Sequence, residues 1–319
     1  MFSKKSLRLL IFFVLIIILT VNTIAVFQAY KFTHYDGSAS SRTKVEDVSW
    51  SHKLKAMVLG VDLPRPEDAS FPTRPYETLY LHDEKNRKIE AWLIRTDSVD
   101  NSKGTVIFCH GYGCAKSEML PAVDVFLDYG YNAFLFDFMG SGGSDGNQTT
   151  IGFYEAEQVK AVFEYVSEKL SSDIILFGTS MGAAAIMKAG HDYKLNPEAV
   201  ILECPYSTML RTVQNRFENV GVPKFPMSNL LVLWGGLING FNAFDLNPVD
   251  YGYSIECPVL LIYGQKDDKV RQDETDDIFN KIKAKNKRLV QYPEAGHANY
   301  HERYKDEWTA DNIDFLESL

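Results

Sequence analysis

The chain has 319 residues, 45% of them hydrophobic and 13% aromatic, enough to bury one full core with an appendage and unlike a disordered or fibrous composition. Its formal charge of −9, with no run of Lys or Arg beyond the first few residues, lacks the clustered cations that a phosphate backbone demands, so no nucleic-acid partner is expected. The four cysteines Cys109, Cys114, Cys204 and Cys257 contain no C-x-x-C pair and do not suggest a disulfide scaffold or a thiolate metal or redox centre.

Lys4, Lys5 and Arg8 precede a run from Leu9 to Phe27 made mostly of Leu, Ile, Val and Phe. At ~1.5 Å per helical residue this run crosses a hydrocarbon core of roughly 30 Å, and the basic flank predicts the N-terminus on the cytoplasmic side with the rest of the chain outside. Residues 1–29 are read as an uncleaved membrane anchor. The rival is a removable signal peptide, for which Thr23 and Ala25 offer a poor cleavage site. Residues 30–75, carrying Asp36, Gly37, Ser38, Pro64, Pro66 and Pro72, read as a stalk and lead-in with one helix near 45–59.

From residue 76 to 319 short β-type runs alternate with helical stretches, the pattern of a mostly parallel sheet covered on both faces. A hairpin is predicted over 77–81 and 88–95, then strands at 105–109, 133–138, 174–177, 199–203, 259–263 and 288–292. Helices are predicted at 118–127, 153–170, 181–189, 273–284 and 306–316. An apolar insertion at about 206–251, with Phe225, Trp234 and Phe241, is too long for an ordinary loop. It reads as a small helical cap over the site or as an interaction surface.

Gly178-Thr179-Ser180-Met181-Gly182 follows a predicted strand and opens a predicted helix, the context in which G-x-S-x-G presents a nucleophilic serine. The turn is tight enough to require both glycines. Ser180 then stands at a helix N-terminus that favours a developing oxyanion. So short a pattern is weak by itself. It gains weight from His110-Gly111-Tyr112-Gly113 at the end of another strand, which would set the Tyr112 N–H opposite that of Met181 as two oxyanion donors. Asp267 and His297 each follow a later strand, in the chain order that a Ser, acid, His triad of this kind uses. His297 is the expected base and Asp267 the acid that orients it, with Asp268 as the alternative acid.

Other residues admit chemistry but read as structural. His110 is expected to brace its loop, and His301, four residues after His297, lacks a third partner for a metal. The loop from Asp137 to Gly146 fails the spacing of both phosphate-binding glycine motifs and reads as a turn on the site's rim. Cys114 reads as structural. Asp273, Glu274, Asp276 and Asp277 read as a solvent-facing helix cap rather than a cation site. No cofactor and no metal are expected.

On His110 to Gly113, the Asp137 to Gly146 loop, Gly178 to Gly182, Asp267 and Ala295-Gly296-His297, the chain resembles the α/β-hydrolase superfamily over residues 76–319. Within it the chain is most similar to membrane-anchored bacterial hydrolases of the serine aminopeptidase-like kind or of unassigned substrate. The resemblance implies an eight-stranded sheet with its second strand antiparallel, helices on both faces and a lid after the sixth strand. It implies a serine hydrolase acting on a small-molecule acyl substrate. A carboxylic ester is the leading expectation, with a peptidase or amide hydrolase, or a non-catalytic membrane-tethered binding module, as alternatives.

Overall fold

The computed structural model describes residues 4–38, 60–97, 102–297 and 299–319; the helix expected near 45–59 lies outside them. Helix α1 (Lys4–Thr33) has no polar face along its apolar run, and from Leu7 to Leu19 its large aliphatic and aromatic side chains are 43–69% exposed. Burial appears only toward its C-terminal end, on a stripe of Ala25, Ala29 and Thr33 spaced four residues apart. These small residues allow close approach of a cap helix, and α1 therefore continues four residues past the end expected for the anchor.

The region from residue 76 onward is built on eight strands: β1 (Tyr76–His82), β2 (Lys88–Ile94), β3 (Thr105–Cys109), β4 (Asn132–Phe136), β5 (Ile174–Thr179), β6 (Ala199–Glu203), β7 (Val259–Gly264) and β8 (Lys287–Tyr292). Their order across the sheet is β8-β7-β6-β5-β3-β4-β2-β1. Only the β1–β2 and β2–β4 pairings are antiparallel. The five residues of β3 are all buried, as a parallel strand covered on both faces requires. Ile107 and Cys109 belong to the core on one side and Val106 and Phe108 to the core on the other. The covering helices are α2 (Leu120–Asp128), α3 (Glu155–Lys169), α4 (Met181–Tyr193), α7 (Gln272–Lys281) and α8 (Lys305–Glu317). Between β6 and β7 the chain leaves the sheet to form α5 (Met209–Asn219), α6 (Met227–Asn239) and short helical turns ending at Ser254. It is α6 that packs against α1, with Trp234 Nε1 donating to Asn22 Oδ1 at 3.1 Å.

The described part of the lead-in lies against this domain rather than standing off as a stalk. Tyr35–Asp36 pairs in parallel with Leu63–Pro64, and Arg65 donates to the Ser141 and Gly142 carbonyls. Asp68 joins Glu90 and Asp137 around the buried ammonium of Lys116. A lysine with no exposed side-chain surface needs carboxylate partners, and one of them comes from the lead-in. Asp137 and Glu90 lie at 2.6 and 3.0 Å from Nζ, so the cluster of three acids already holds a cation of the chain's own. Gly142 and Gly143 in the Asp137 to Gly146 loop leave space for two of these carboxylates, since a Cβ at either would fall within 2.5 Å of Asp137 or Glu90 oxygens.

Candidate active site

Ser180 links β5 to α4 with φ 54 and ψ −110, a region that a residue with a side chain occupies only when its surroundings force it. Close packing supplies that constraint. A Cβ at Gly178 would lie 2.6 Å from Ile186 Cδ1 and 2.7 Å from Ala183 N, and one at Gly182 would lie 2.1 Å from the Cys109 carbonyl oxygen. Both flanking positions therefore exclude a side chain, and the turn closes only around Ser180.

The end of β3 lies alongside. The ideal Cβ position of Gly111 is 3.9 Å from Ser180 Cβ, which brings the Gly111-Tyr112 turn next to the serine. His110 is fully buried. The Phe138 N–H donates to His110 Nε2 at 3.0 Å, which leaves Nδ1 as donor to the Gly111 carbonyl at 2.9 Å. Burial pulls the His110 pKa down, so a neutral imidazole ties this turn to the loop after β4. Tyr112 Oη donates to the Phe32 carbonyl at 2.7 Å and joins the turn to the end of α1.

Asp267 and His297 leave the C-terminal ends of β7 and β8, where open α/β sheets gather their sites. His297 Nε2 is 2.9 Å from Ser180 Oγ, and Nδ1 is 2.7 Å from Asp267 Oδ2. A carboxylate only accepts, so Nδ1 carries the hydrogen and Nε2 accepts from the serine hydroxyl. Oδ1 of Asp267 accepts from the backbone N–H groups of Lys269 and Val270 at 2.8 and 3.0 Å. That fixes the carboxylate, whose side chain is fully buried while that of His297 is 11% exposed. The neighbouring Asp268 is exposed. Ser180, His297 and Tyr112 open onto a cleft of about 310 Å³.

His301 also lines this cleft. Its ring stands edge-on to Trp308 at 5.0 Å, and burial lowers its pKa. Among the described residues it joins no group of potential metal ligands. Glu274, expected in solvent, is instead 2% exposed. It caps α7 through Arg271 N and accepts from Ser207 Oγ and Asn215 Nδ2, which pins the cap to the domain.

Two residues beside the site escaped the sequence reading. Glu203 ends β6, and its carbonyl accepts from the Ser180 N–H at 2.8 Å. Its buried carboxyl takes hydrogen bonds from Thr179 Oγ1 at 2.9 Å and Trp308 Nε1 at 2.8 Å. Burial raises its pKa to about 7 despite those bonds. The signal available was an acid closing the apolar run Ala-Val-Ile-Leu. Arg216 of α5 lines the Ser180 cleft and also a second cavity beneath the cap. Its Nη1 donates to Thr212 Oγ1 and O, and burial lowers its pKa. No sequence signal marks it.

The family model described as Serine aminopeptidase, S33 matches residues 100–230, and that of the Dienelactone hydrolase family matches residues 237–313. The uncharacterized protein YqkD of Bacillus subtilis is 28% identical over 185 residues, 57% of this chain and 61% of the relative, so the match spans less than two thirds of that protein. The uncharacterized membrane protein YNL320W of Saccharomyces cerevisiae is 25% identical over 230 residues, 70% of this chain and 74% of its own. Among solved structures, the Pyrococcus furiosus esterase Pf2001 superposes with a TM-score of 0.68 at 25% identity, over 81% of this chain and 98% of that one. Sheet order, cap position and these matches together establish that the chain belongs to the α/β-hydrolase superfamily.

Proposed function

We propose that the protein is a membrane-anchored serine esterase that cleaves a carboxylic ester through an acyl-enzyme on Ser180. The observation that carries this reading is the hydrogen-bonded chain Ser180 Oγ to His297 Nε2 to Asp267, at 2.9 and 2.7 Å. In the proposed reaction Oγ attacks the acyl carbonyl as its proton passes to Nε2. The backbone N–H groups of Tyr112 and Met181 hold the negative oxygen of the tetrahedral intermediate. Its collapse breaks the ester C–O bond, and imidazolium His297 returns the proton to the leaving alcohol. Water, activated by the same imidazole, then releases the acid and restores Ser180. Asp267 holds the imidazole in the required tautomer and stabilises its charged form.

The superfamily and its esterase neighbour support hydrolase activity in general, and the yeast relative and apolar α1 support association with a membrane. Lys4, Lys5 and Arg8 favour the catalytic domain on the extracytoplasmic side. A fluorophosphonate probe is expected to label the protein at Ser180 and to leave Ser180→Ala unlabelled; equal labelling of the two would overturn the assignment. A second reading, amide or peptide hydrolysis with the same residues, is favoured by the S33 match over residues 100–230. Turnover of aminoacyl p-nitroanilides in preference to p-nitrophenyl esters would select it.

A further inference from the structure

Besides the cleft at Ser180, the structure holds a cavity of about 110 Å³ bounded by Ala29 and Phe32 of α1, Met209 and Val213 of α5, and Leu231 and Gly235 of α6. A water-sized group needs roughly 10–15 Å³ of such space, so there is room for a chain of roughly seven methylenes. Its walls are mostly aliphatic or aromatic, with Thr33, Thr150, Thr212 and Arg216 as the polar members, a lining that admits hydrocarbon. Tyr112 and Arg216 belong to the walls of both this cavity and the Ser180 cleft, so the two spaces meet at these side chains.

One wall is supplied by the helix that enters the membrane. The large apolar side chains of α1 are exposed from Leu7 to Leu19, whereas Ala29 is only 2% exposed and faces the cavity. The same helix thus runs from the lipid-facing segment to the substrate side of the domain. The cap is apolar outward as well: Val220, Phe225 and Leu237 are 72, 77 and 60% exposed. On α1 itself Phe27 and Phe32, past the lipid-facing segment and toward the cavity, are 47 and 42% exposed.

We infer that this cavity receives the acyl chain of a membrane-resident ester, so that α1 is part of the substrate site as well as the anchor. The inference rests on the esterase reading of Ser180 and adds its substrate class: an amphiphile with a medium or long acyl chain, drawn from the membrane surface. The chain lies between α1 and the cap, with the ester carbonyl at Ser180 and the polar end in the open cleft.

The test uses full-length protein in phosphatidylcholine nanodiscs. Ala29→Phe fills the cavity from α1, and Gly235→Leu fills it from α6, where an added Cβ meets no atom within 4 Å. Each methylene denied its place costs roughly fourfold. Either substitution is therefore expected to lower the octanoate-to-acetate ratio of kcat/KM on p-nitrophenyl esters at least tenfold. Leu19→Phe, on the lipid-facing stretch of α1, should leave the ratio as in the wild type. In a Ser180→Ala background, binding of a fluorescent dodecanoate should weaken at least tenfold with Ala29→Phe. An unchanged ratio in both cavity variants, or undiminished dodecanoate binding, would overturn the inference. A wild type that turns over no ester would overturn the esterase reading instead, while the binding measurement would still decide the cavity.

Discussion

Glu203 gives the most quantitative consequence of the structure. Its carboxyl is buried beside Ser180, with Thr179 and Trp308 as hydrogen-bond donors, and its pKa is raised from 4.5 to about 7 because burial penalises the charged form more than two donors relieve it. A group held protonated in the folded state contributes stability that is fully present below its unfolded pKa. That contribution is lost as pH rises through the folded value, because the unfolded chain binds fewer protons across the interval. The window therefore runs from about pH 4.5 to 7. At 1.36 kcal/mol per pKa unit the loss is on the order of 3 kcal/mol. For a domain of this size that is a fall in Tm of about 6–12 °C. Glu203→Gln keeps the shape and cannot ionise, although it gives up one acceptor at a cost of about 1 kcal/mol. Thermal unfolding of both proteins in detergent from pH 4.5 to 8 isolates this group, since every other titration is common to the pair. The variant should start below the wild type at pH 4.5 and overtake it by pH 8. Parallel curves would refute a buried, neutral Glu203.

Three further outcomes follow from particular contacts. Asp267→Asn should lower kcat by about 10⁴ through the wrong imidazole tautomer, whereas Asp268→Asn should change it by less than about twofold; esterase kinetics on both decides between the adjacent acids. Gly182→Ala forces a Cβ to within 2.1 Å of the Cys109 carbonyl and should destabilise by about 1–3 kcal/mol or more. In the same helix Gly190→Ala meets no atom within 4 Å and should stabilise by about 0.5–1 kcal/mol; denaturant midpoints compare the two. Lys116→Met strands Asp137 and its partner carboxylates without their cation and should cost about 3–5 kcal/mol, read by the same unfolding measurement. A midpoint unchanged from the wild type would mean that the acids do not need the lysine.

The sheet was legible because its signals are local. Runs such as 106–109 and 174–177 are unbroken apolar stretches, which a parallel strand buried on both faces must have. Gly178 and Gly182 mark the places where the backbone passes too close to its neighbours for a side chain. Chain order then offered Asp267 and His297 as partners of Ser180 without any distance being known. The hydrogen bonds from Lys269 and Val270 that turn Asp267 inward, and the exposure of Asp268, depend on how the loop after β7 folds. Nothing in the pair Asp-Asp distinguishes them.

Glu274 and Glu203 show the limit from another side. Charge alone suggested solvent for Glu274, but Ser207 and Asn215, 67 and 59 residues away, supply the donors that make its burial tolerable. Glu203 carries no motif because its role comes from Thr179 and Trp308, brought together by different strands and helices. The N-terminal segment divides in the same way. Its length and apolarity by themselves determined a helix able to cross a bilayer, since backbone hydrogen bonds within one segment suffice for that. That its last turns would lie against the cap and wall a cavity depended on Ala25, Ala29 and Thr33 meeting a helix some two hundred residues later. Only packing in three dimensions creates such a contact, and no periodicity within either segment records it.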